Sequence, residues 1–283
     1  MSTDRFRTKK RLGQHFLTDK NVLSNIVSAF PATSNDWVLE IGPGTGALTQ
    51  FLWPRYPRLE LVEVDAEAVA VLNERFEGVL IHEQDILKVN LQELIPEQLD
   101  ADRVDADQVD ADRVDANQEA AKPKNFVIGN LPYYITSPIL FGLLEHRSRL
   151  AGALLMMQKE VAQRLVAKPR TKDYGILSVQ TQLMSSSEYL FDVKPGSFSP
   201  PPKVTSAMVY VHFDKPALAC SDKMLKTVVR TAFNQRRKKL SNALKTMIQE
   251  VDCSHFDLNV RAEEWTPDIY AEFATYLEAQ FSE

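Results

Sequence analysis

Apolar residues recur along this chain in two rhythms. Short, nearly unbroken runs at 37–41, 59–64, 79–82, 126–129 and 151–157 predict strands covered on both faces, the habit of a parallel sheet. Between them the spacing becomes helical: Val22, Leu23, Ile26 and Val27 within 19–29, then Val69, Leu72 and Phe76, then 139–144, 158–165 and 176–184, each placing its large side chains on one face. Strand and helix in alternation predict an α/β fold with the strands parallel. Residues 205–213 alternate as a last strand. The segment 198–204 holds three successive prolines, which remove three backbone donors, so it reads as a rigid extended piece crossing the ligand edge of the sheet. From Cys220 onward only helical spacing remains: Leu225, Val228, Val229 and Ala232, then Leu240, Leu244 and Met247, then 267–281. Two units follow, an α/β domain over 1–214 and a small all-helical domain over 215–283.

One stretch fits neither rhythm. Val104-Asp105-Ala106-Asp107-Gln108 is followed by two further five-residue copies ending at Gln118, after a partial copy at 100–103. With valine as its one sizeable apolar residue, the repeat cannot bury enough surface to offset the entropy of ordering it, and it reads as a surface insertion spanning about 97–124. Its alternating aspartates lack the glycine and terminal glutamate of a calcium loop.

The insertion changes what the charge means. The chain carries a net charge of -5, yet 97–124 alone holds nine acidic residues against four basic ones, and the remainder carries 29 of each sign. Within that neutral remainder, cations gather at Arg5, Arg7, Lys9, Lys10 and Arg11 and again at Arg236, Arg237, Lys238 and Lys239. A nucleic-acid partner therefore stays open despite the acidic total, although such runs also serve as plain solvated surface. Cys220 and Cys253 make no disulfide framework, the five histidines do not fall at metal-ligand spacing, and no apolar run reaches the length of a membrane span. The polar, basic beginning has no apolar segment behind it, and a cytoplasmic location is expected.

Candidate chemistry sits where predicted strands end. After the strand at 37–41, Gly42-Pro43-Gly44-Thr45-Gly46 lets backbone approach a ligand closely and then turns into a helix expected near Ala47. The loop fits a nucleotide-type cofactor and equally satisfies a dinucleotide pattern. In either case Glu63, ending the second strand, is placed for ribose hydroxyls. Asp85, after the third strand, can accept from an adenine amine while Ile86 packs on the ring. After the strand at 126–129 comes Asn130-Leu131-Pro132-Tyr133. Pro132 fixes its own φ and biases Leu131 toward extended geometry, so the Asn130 amide and the Leu131 carbonyl can point together out of the sheet edge beside the flat face of Tyr133. Two acceptors beside an aromatic face suit a planar base with an exocyclic amine; the same residues could equally form a strand-end turn with a structural proline.

Taken in order, Gly-Gln-His-Phe-Leu at 13–17, Glu-Ile-Gly-Pro-Gly-Thr-Gly at 40–46, Asn-Leu-Pro-Tyr at 130–133, Gln-Lys-Glu-Val at 158–161, Phe-Ser-Pro-Pro-Pro-Lys-Val at 198–204 and Phe-Asn-Gln-Arg-Arg-Lys at 233–238 resemble the ribosomal RNA adenine dimethyltransferases, in particular the small-subunit branch. The resemblance covers nearly the whole chain except the repeat. It implies a Rossmann-like methyltransferase sheet with a reversed last strand and S-adenosylmethionine as cofactor. His15, Leu17, the loop glycines Gly42 and Gly44, Glu63, Asp85 and Asn130 are then expected at cofactor-contact positions, with Asn130 also at the methyl-transfer centre. Leu131, Pro132 and Tyr133 complete that centre, and Phe198, by hypothesis, sandwiches the flipped base with Tyr133. His15 departs from the family, which often has Asn there. The implied reaction is dimethylation of two adjacent adenosines in a hairpin loop near the 3' end of small-subunit RNA, on the immature 30S particle, by a monomer with no membrane partner. A large-subunit dimethyltransferase and a non-catalytic RNA-binding assembly factor are the alternatives.

Overall fold

The computed structural model describes residues 14–97 and 122–281. The basic residues at 5–11 and the repeat at 100–118 lie outside them. In chain order the elements are β1 Phe16–Leu17, α1 Lys20–Ala29, β2 Trp37–Ile41, α2 Thr49–Leu52, β3 Leu59–Glu63, α3 Ala66–Arg75, β4 Leu80–Glu83, α4 Leu91–Leu94, β5 Asn125–Asn130, α5 Thr136–Glu145, β6 Gly152–Gln158, α6 Lys159–Leu165, α7 Ile176–Met184, β7 Ser186–Val193, β8 Phe198–Ser199, β9 Ser206–His212, α8 Asp222–Asn234, α9 Leu240–Ala243 and α10 Pro267–Phe281.

The described residues pack as two compact units. The first runs to Pro132 and adds Ser148–Leu155 and Pro195–Lys203; the second holds Tyr133–Arg147, Met156–Lys194 and the chain from Val204. In the first, strands lie in the order β4-β3-β2-β5-β6, and β2 pairs in parallel with both β3 and β5. The largely apolar sequence of β2 and β5, broken inside by the buried Glu40, follows from this position, because a central parallel strand is covered on both faces. Val38, Leu39, Leu61, Val127 and Ile128 have at most a trace of exposure. Asp36 fixes the entry of both strands at once: its carboxylate accepts from the Thr33 backbone N–H and hydroxyl and from the Lys124 N–H at 2.6 Å.

The second unit pairs β7 and β9 antiparallel, a pairing that a sheet with a reversed last strand requires. Its core joins α7 to α8 and α10, with Leu225, Val228, Val229 and Ala232 of α8 fully buried beside Tyr174, Tyr270 and Phe273. The helices expected at 176–184 and 267–281 appear with those bounds.

The helix expected near Ala47 is present and short: the Gln50 N–H donates to the Gly46 carbonyl at 3.2 Å, Leu48 is already helical, and α2 ends at Leu52. Two expectations need correction. The helix over Leu240, Leu244 and Met247 breaks into α9 and a separate 3-10 turn at Lys245–Met247. β7 has no counterpart among the expected strands: Leu190 is inserted where Tyr189 faces Val209 and Phe191 faces Met208, and this bulge erases the two-residue alternation.

Candidate active site

The chain runs from β2 through β3 to β4 on one side of β2 and returns to place β5 on the other side. The C-terminal ends of β2 and β5 therefore flank the crevice where open α/β sheets take ligands. Ile41 faces Gly129 in the β2–β5 register, which sets Gly42 and Asn130 side by side; a Cβ on Gly42 would stand 3.8 Å from the Asn130 carbonyl oxygen. Gly129 itself allows the approach, since a Cβ there would lie 2.6 Å from the Ile41 carbonyl oxygen.

Glu63 ends β3 with its side chain turned inward, 6% exposed. Its Oε2 accepts from the Gly44 backbone N–H at 3.0 Å, and its Oε1 accepts from the Val64 and Asp65 N–H groups, each at 2.9 Å. Burial pushes this carboxyl above its usual range, opposed by those three N–H groups. Asp65, missed by sequence reasoning, caps α3 through the Glu67 N–H and accepts from the Gln14 side chain at 2.9 Å. An aspartate just ahead of the helical Ala-Glu-Ala is an N-cap signal that could have found it. Glu40, inside the glycine motif, is 2% exposed with the Thr49 hydroxyl donating to it at 2.7 Å, and burial raises it to about 8.

Gln14 to Asp19 run alongside Ser197 to Pro200. β1 and β8 pair antiparallel, with Phe16 facing Ser199 and Leu17 facing Phe198. The Thr18 and Asp19 N–H groups donate to the Ser197 carbonyl, the Ser197 hydroxyl donates to Asp19, and His15 Nδ1–H donates to the Pro200 carbonyl at 2.8 Å. The ribbon also reaches the transfer centre: Asn130 Nδ2 donates to the His15 carbonyl at 3.0 Å. The Asn130 side chain makes no other hydrogen bond among the described residues, so its Oδ1 remains an acceptor for something else.

The other expected site residues are placed as follows. Leu131 buries its side chain completely and Leu17 is also buried, while Phe198 is 4% exposed, so its ring does not present an open face, contrary to its expected place against a flipped base. Tyr133 opens a 3-10 turn at Tyr133–Ile135 and its hydroxyl bonds the Ser206 hydroxyl at 2.6 Å. Pro132 precedes it, half-buried. Asp85 stands two residues past β4, half-buried, with its carboxylate accepting from the Leu87 N–H at 3.0 Å. The structure thus brings Gly42, Gly44, Glu63, Asn130, His15, Leu17 and Phe198 together within the first unit. Pro200, which carries the His15 contact, was legible only as one of three prolines.

The cation cluster divides. Arg236 donates through Nε to Glu263 at 2.6 Å and through its two terminal nitrogens to the Lys172 and Thr171 carbonyls, so it is a structural tie, contrary to its expected place in a phosphate-binding group. Arg237, Lys238 and Lys239 are exposed.

Comparison with known proteins agrees with this layout. The family model described as Ribosomal RNA adenine dimethylase matches residues 5–278. The Ribosomal RNA small subunit methyltransferase A of Parabacteroides distasonis is 41% identical over 90% of this chain and 86% of its own. That of Salinibacter ruber is 44% identical over 97% of this chain and 86% of its own. Among solved structures, a dimethyladenosine transferase from Plasmodium falciparum superposes with a TM-score of 0.71 at 24% identity, covering 94% of this chain and 98% of its own. The 23S rRNA methyltransferase ErmE gives 0.60 at 21% identity, covering 93% and 99%. These two structures share the fold.

Proposed function

The chain belongs to the ribosomal RNA adenine dimethylase family, and from that premise we propose that Asn130 and the Leu131 carbonyl receive the exocyclic amine of the target adenine. The enzyme is an S-adenosylmethionine-dependent methyltransferase that dimethylates adenine in small-subunit ribosomal RNA. Neither the large-subunit enzyme nor a non-catalytic binding factor is favoured by its relatives. The finer reading is of two adjacent adenosines in a hairpin loop near the 3' end, modified on the immature 30S particle by a monomer in the cytoplasm.

The loop suits a cofactor that carries positive charge on its sulfur and its amino group. Glu63 is buried at the loop beside Glu40, which burial keeps protonated up to about pH 8, and Glu63 meets no lysine or arginine among the described residues. A carboxylate offers about four acceptor positions; Glu63 uses three on N–H groups and has one for a ribose hydroxyl. Space over Gly42 is open to within 3.8 Å of the Asn130 carbonyl. Gly42, Gly44, Glu63, Asp85, His15, Leu17 and Asn130 would hold the cofactor, which when bound supplies an electrophilic methyl group on a sulfonium.

The residues of the chain then have to prepare the amine. An adenine amine is a weak nucleophile because its lone pair is delocalised into the ring. Asn130 Oδ1 and the Leu131 carbonyl accept its two hydrogens and turn the lone pair toward the methyl carbon, so the contribution is positioning with local electrostatics. The observation that carries this reading is the Asn130 amide itself: with Nδ2 spent on the His15 carbonyl, Oδ1 is the atom left to face the amine. Asn130 is not a base. The amine becomes strongly acidic only after transfer, and its proton then leaves to water. Tyr133, its hydroxyl held by Ser206, stacks on one face of the flipped base. Arg237, Lys238 and Lys239, in the helical segment 215–283, bind RNA phosphates.

The test is mass spectrometry of RNA from unmodified small subunits incubated with the purified protein and S-adenosylmethionine, with large subunits in parallel. Dimethyladenosine is expected in small-subunit RNA alone, and Asn130→Ala should slow its formation by about a hundredfold or more even at saturating S-adenosylmethionine. An Asn130→Ala protein as active as the parent would overturn this assignment of the transfer centre.

A further inference from the structure

We propose that His15 is a positioning residue for methyl transfer, which acts through Asn130 by holding the amide in the one orientation that presents an acceptor. A primary amide can rotate by half a turn at little cost, exchanging Oδ1 for Nδ2; in the exchanged state a donor would face the adenine amine, which itself offers two donors. The His15 carbonyl stops this exchange, because it accepts from Nδ2 at 3.0 Å and would meet a second acceptor if the amide turned. A carbonyl can do so only if its backbone is fixed. The imidazole supplies that fixing: Nδ1–H donates to the Pro200 carbonyl at 2.8 Å, at the end of the β1–β8 ribbon opposite the Thr18, Asp19 and Ser197 bonds. His15 therefore grips the proline segment with its side chain and Asn130 with its main chain. The same ribbon carries Phe198 opposite Leu17, so one element sets both the amide and the ring.

This inference rests on the reading of Asn130 as the transfer centre, and the experiment separates the two. Single-turnover rates are measured at saturating S-adenosylmethionine and saturating unmodified small subunits for His15→Ala, His15→Phe, His15→Asn and Asn130→Ala, and for His15→Ala combined with Asn130→Ala. Saturation removes any loss of cofactor affinity from the comparison. His15→Ala and His15→Phe, the latter keeping the ring volume without the donor, should each slow transfer by roughly tenfold, about the worth of one net hydrogen bond. His15→Asn, which keeps a side-chain N–H donor, should recover most of the rate. In the Asn130→Ala background the His15 change should make less than about a twofold difference, the non-additivity expected of residues acting through one another. If the His15 loss is equal in both backgrounds, or shows only as weaker cofactor binding with the saturated rate intact, the positioning role is wrong. If Asn130→Ala alone leaves the rate unchanged, the assignment of the transfer centre fails instead. Should His15→Ala fold poorly, the His15→Phe and His15→Asn pair decides the question alone.

Discussion

Glu63 Oε2 holds the backbone N–H of Gly44 at 3.0 Å, tying the end of β3 to the turn that follows β2. With Val64 and Asp65 donating to its other oxygen, one buried side chain satisfies three backbone donors from two strand ends. Glu63→Gln keeps the shape but turns an NH2 group toward at least one of those donors. A buried donor left without its acceptor costs about 1–3 kcal/mol. The expected result is a lower melting temperature together with weaker S-adenosylmethionine binding, read by calorimetry with and without cofactor.

Glu40 gives a pH dependence whose sign is fixed by its surroundings. Burial raises its carboxyl from an ordinary 4.5 to about 8, the Thr49 hydroxyl opposes the rise and the negative Glu63 adds to it. The folded protein thus keeps a proton that the unfolded chain releases near 4.5. The stabilising linkage is complete below that pH and is lost as pH climbs through about 8. Thermal stability of the parent should fall between pH 5 and 8 more steeply than that of Glu40→Gln, which stays neutral throughout, and the two should run parallel above about pH 9. Parallel behaviour of the two proteins between pH 5 and 8 as well would show that this group does not carry the linkage.

What the linear sequence reveals of this fold depends on how local each element is. β2, β3, β5 and β6 announce themselves because a central parallel strand needs apolar residues on both faces, and α7 because its buried face repeats at helical spacing. β1 and β8 are two residues each; neither has a period to detect, and their pairing joins segments about 180 residues apart, consistent with the His15–Pro200 separation. The positions of Glu63 and Asn130 at strand ends were readable, whereas the bonds that engage them were not, since these depend on backbone brought in from elsewhere. Arg236 shows the limit most clearly: four cations in a row look alike until Glu263 is folded against one of them.

Gly44 has φ of +57°, a region where an L-residue other than glycine costs roughly 1–2 kcal/mol. A Cβ there would also lie 2.6 Å from Cε1 of Phe16. Gly44→Ala should therefore push on β1 as well as strain the loop, weakening cofactor binding and lowering stability together. Phe16→Leu in the Gly44→Ala background should recover part of the stability by removing the ring, leaving the backbone strain. No recovery in a thermal melt would mean that the ring does not contribute.

Arg236 and its three neighbours make the last prediction, because one run of cations holds two physical roles. Arg236 is partly screened from solvent, as is its partner Glu263, and its guanidinium also satisfies the carbonyls of Thr171 and Lys172. Replacing it with Ala removes a charge-assisted bond and leaves two carbonyls to water. Stability should fall by about 1–2 kcal/mol, while RNA affinity of the folded fraction stays close to that of the parent. Arg237, Lys238 and Lys239 are exposed, so replacing these three with Ala should leave the melt unchanged within about 0.5 kcal/mol. Binding to small-subunit RNA should weaken instead, and the slope of log affinity against log salt should become shallower by up to about 2, at roughly 0.7 for each single-strand phosphate that is no longer neutralised. Titrations at several salt concentrations, run beside urea denaturation of both variants, separate the roles. If the triple variant keeps the parental slope, RNA is bound by another surface; if Arg236→Ala flattens the slope without lowering stability, the Glu263 tie has been given the wrong role.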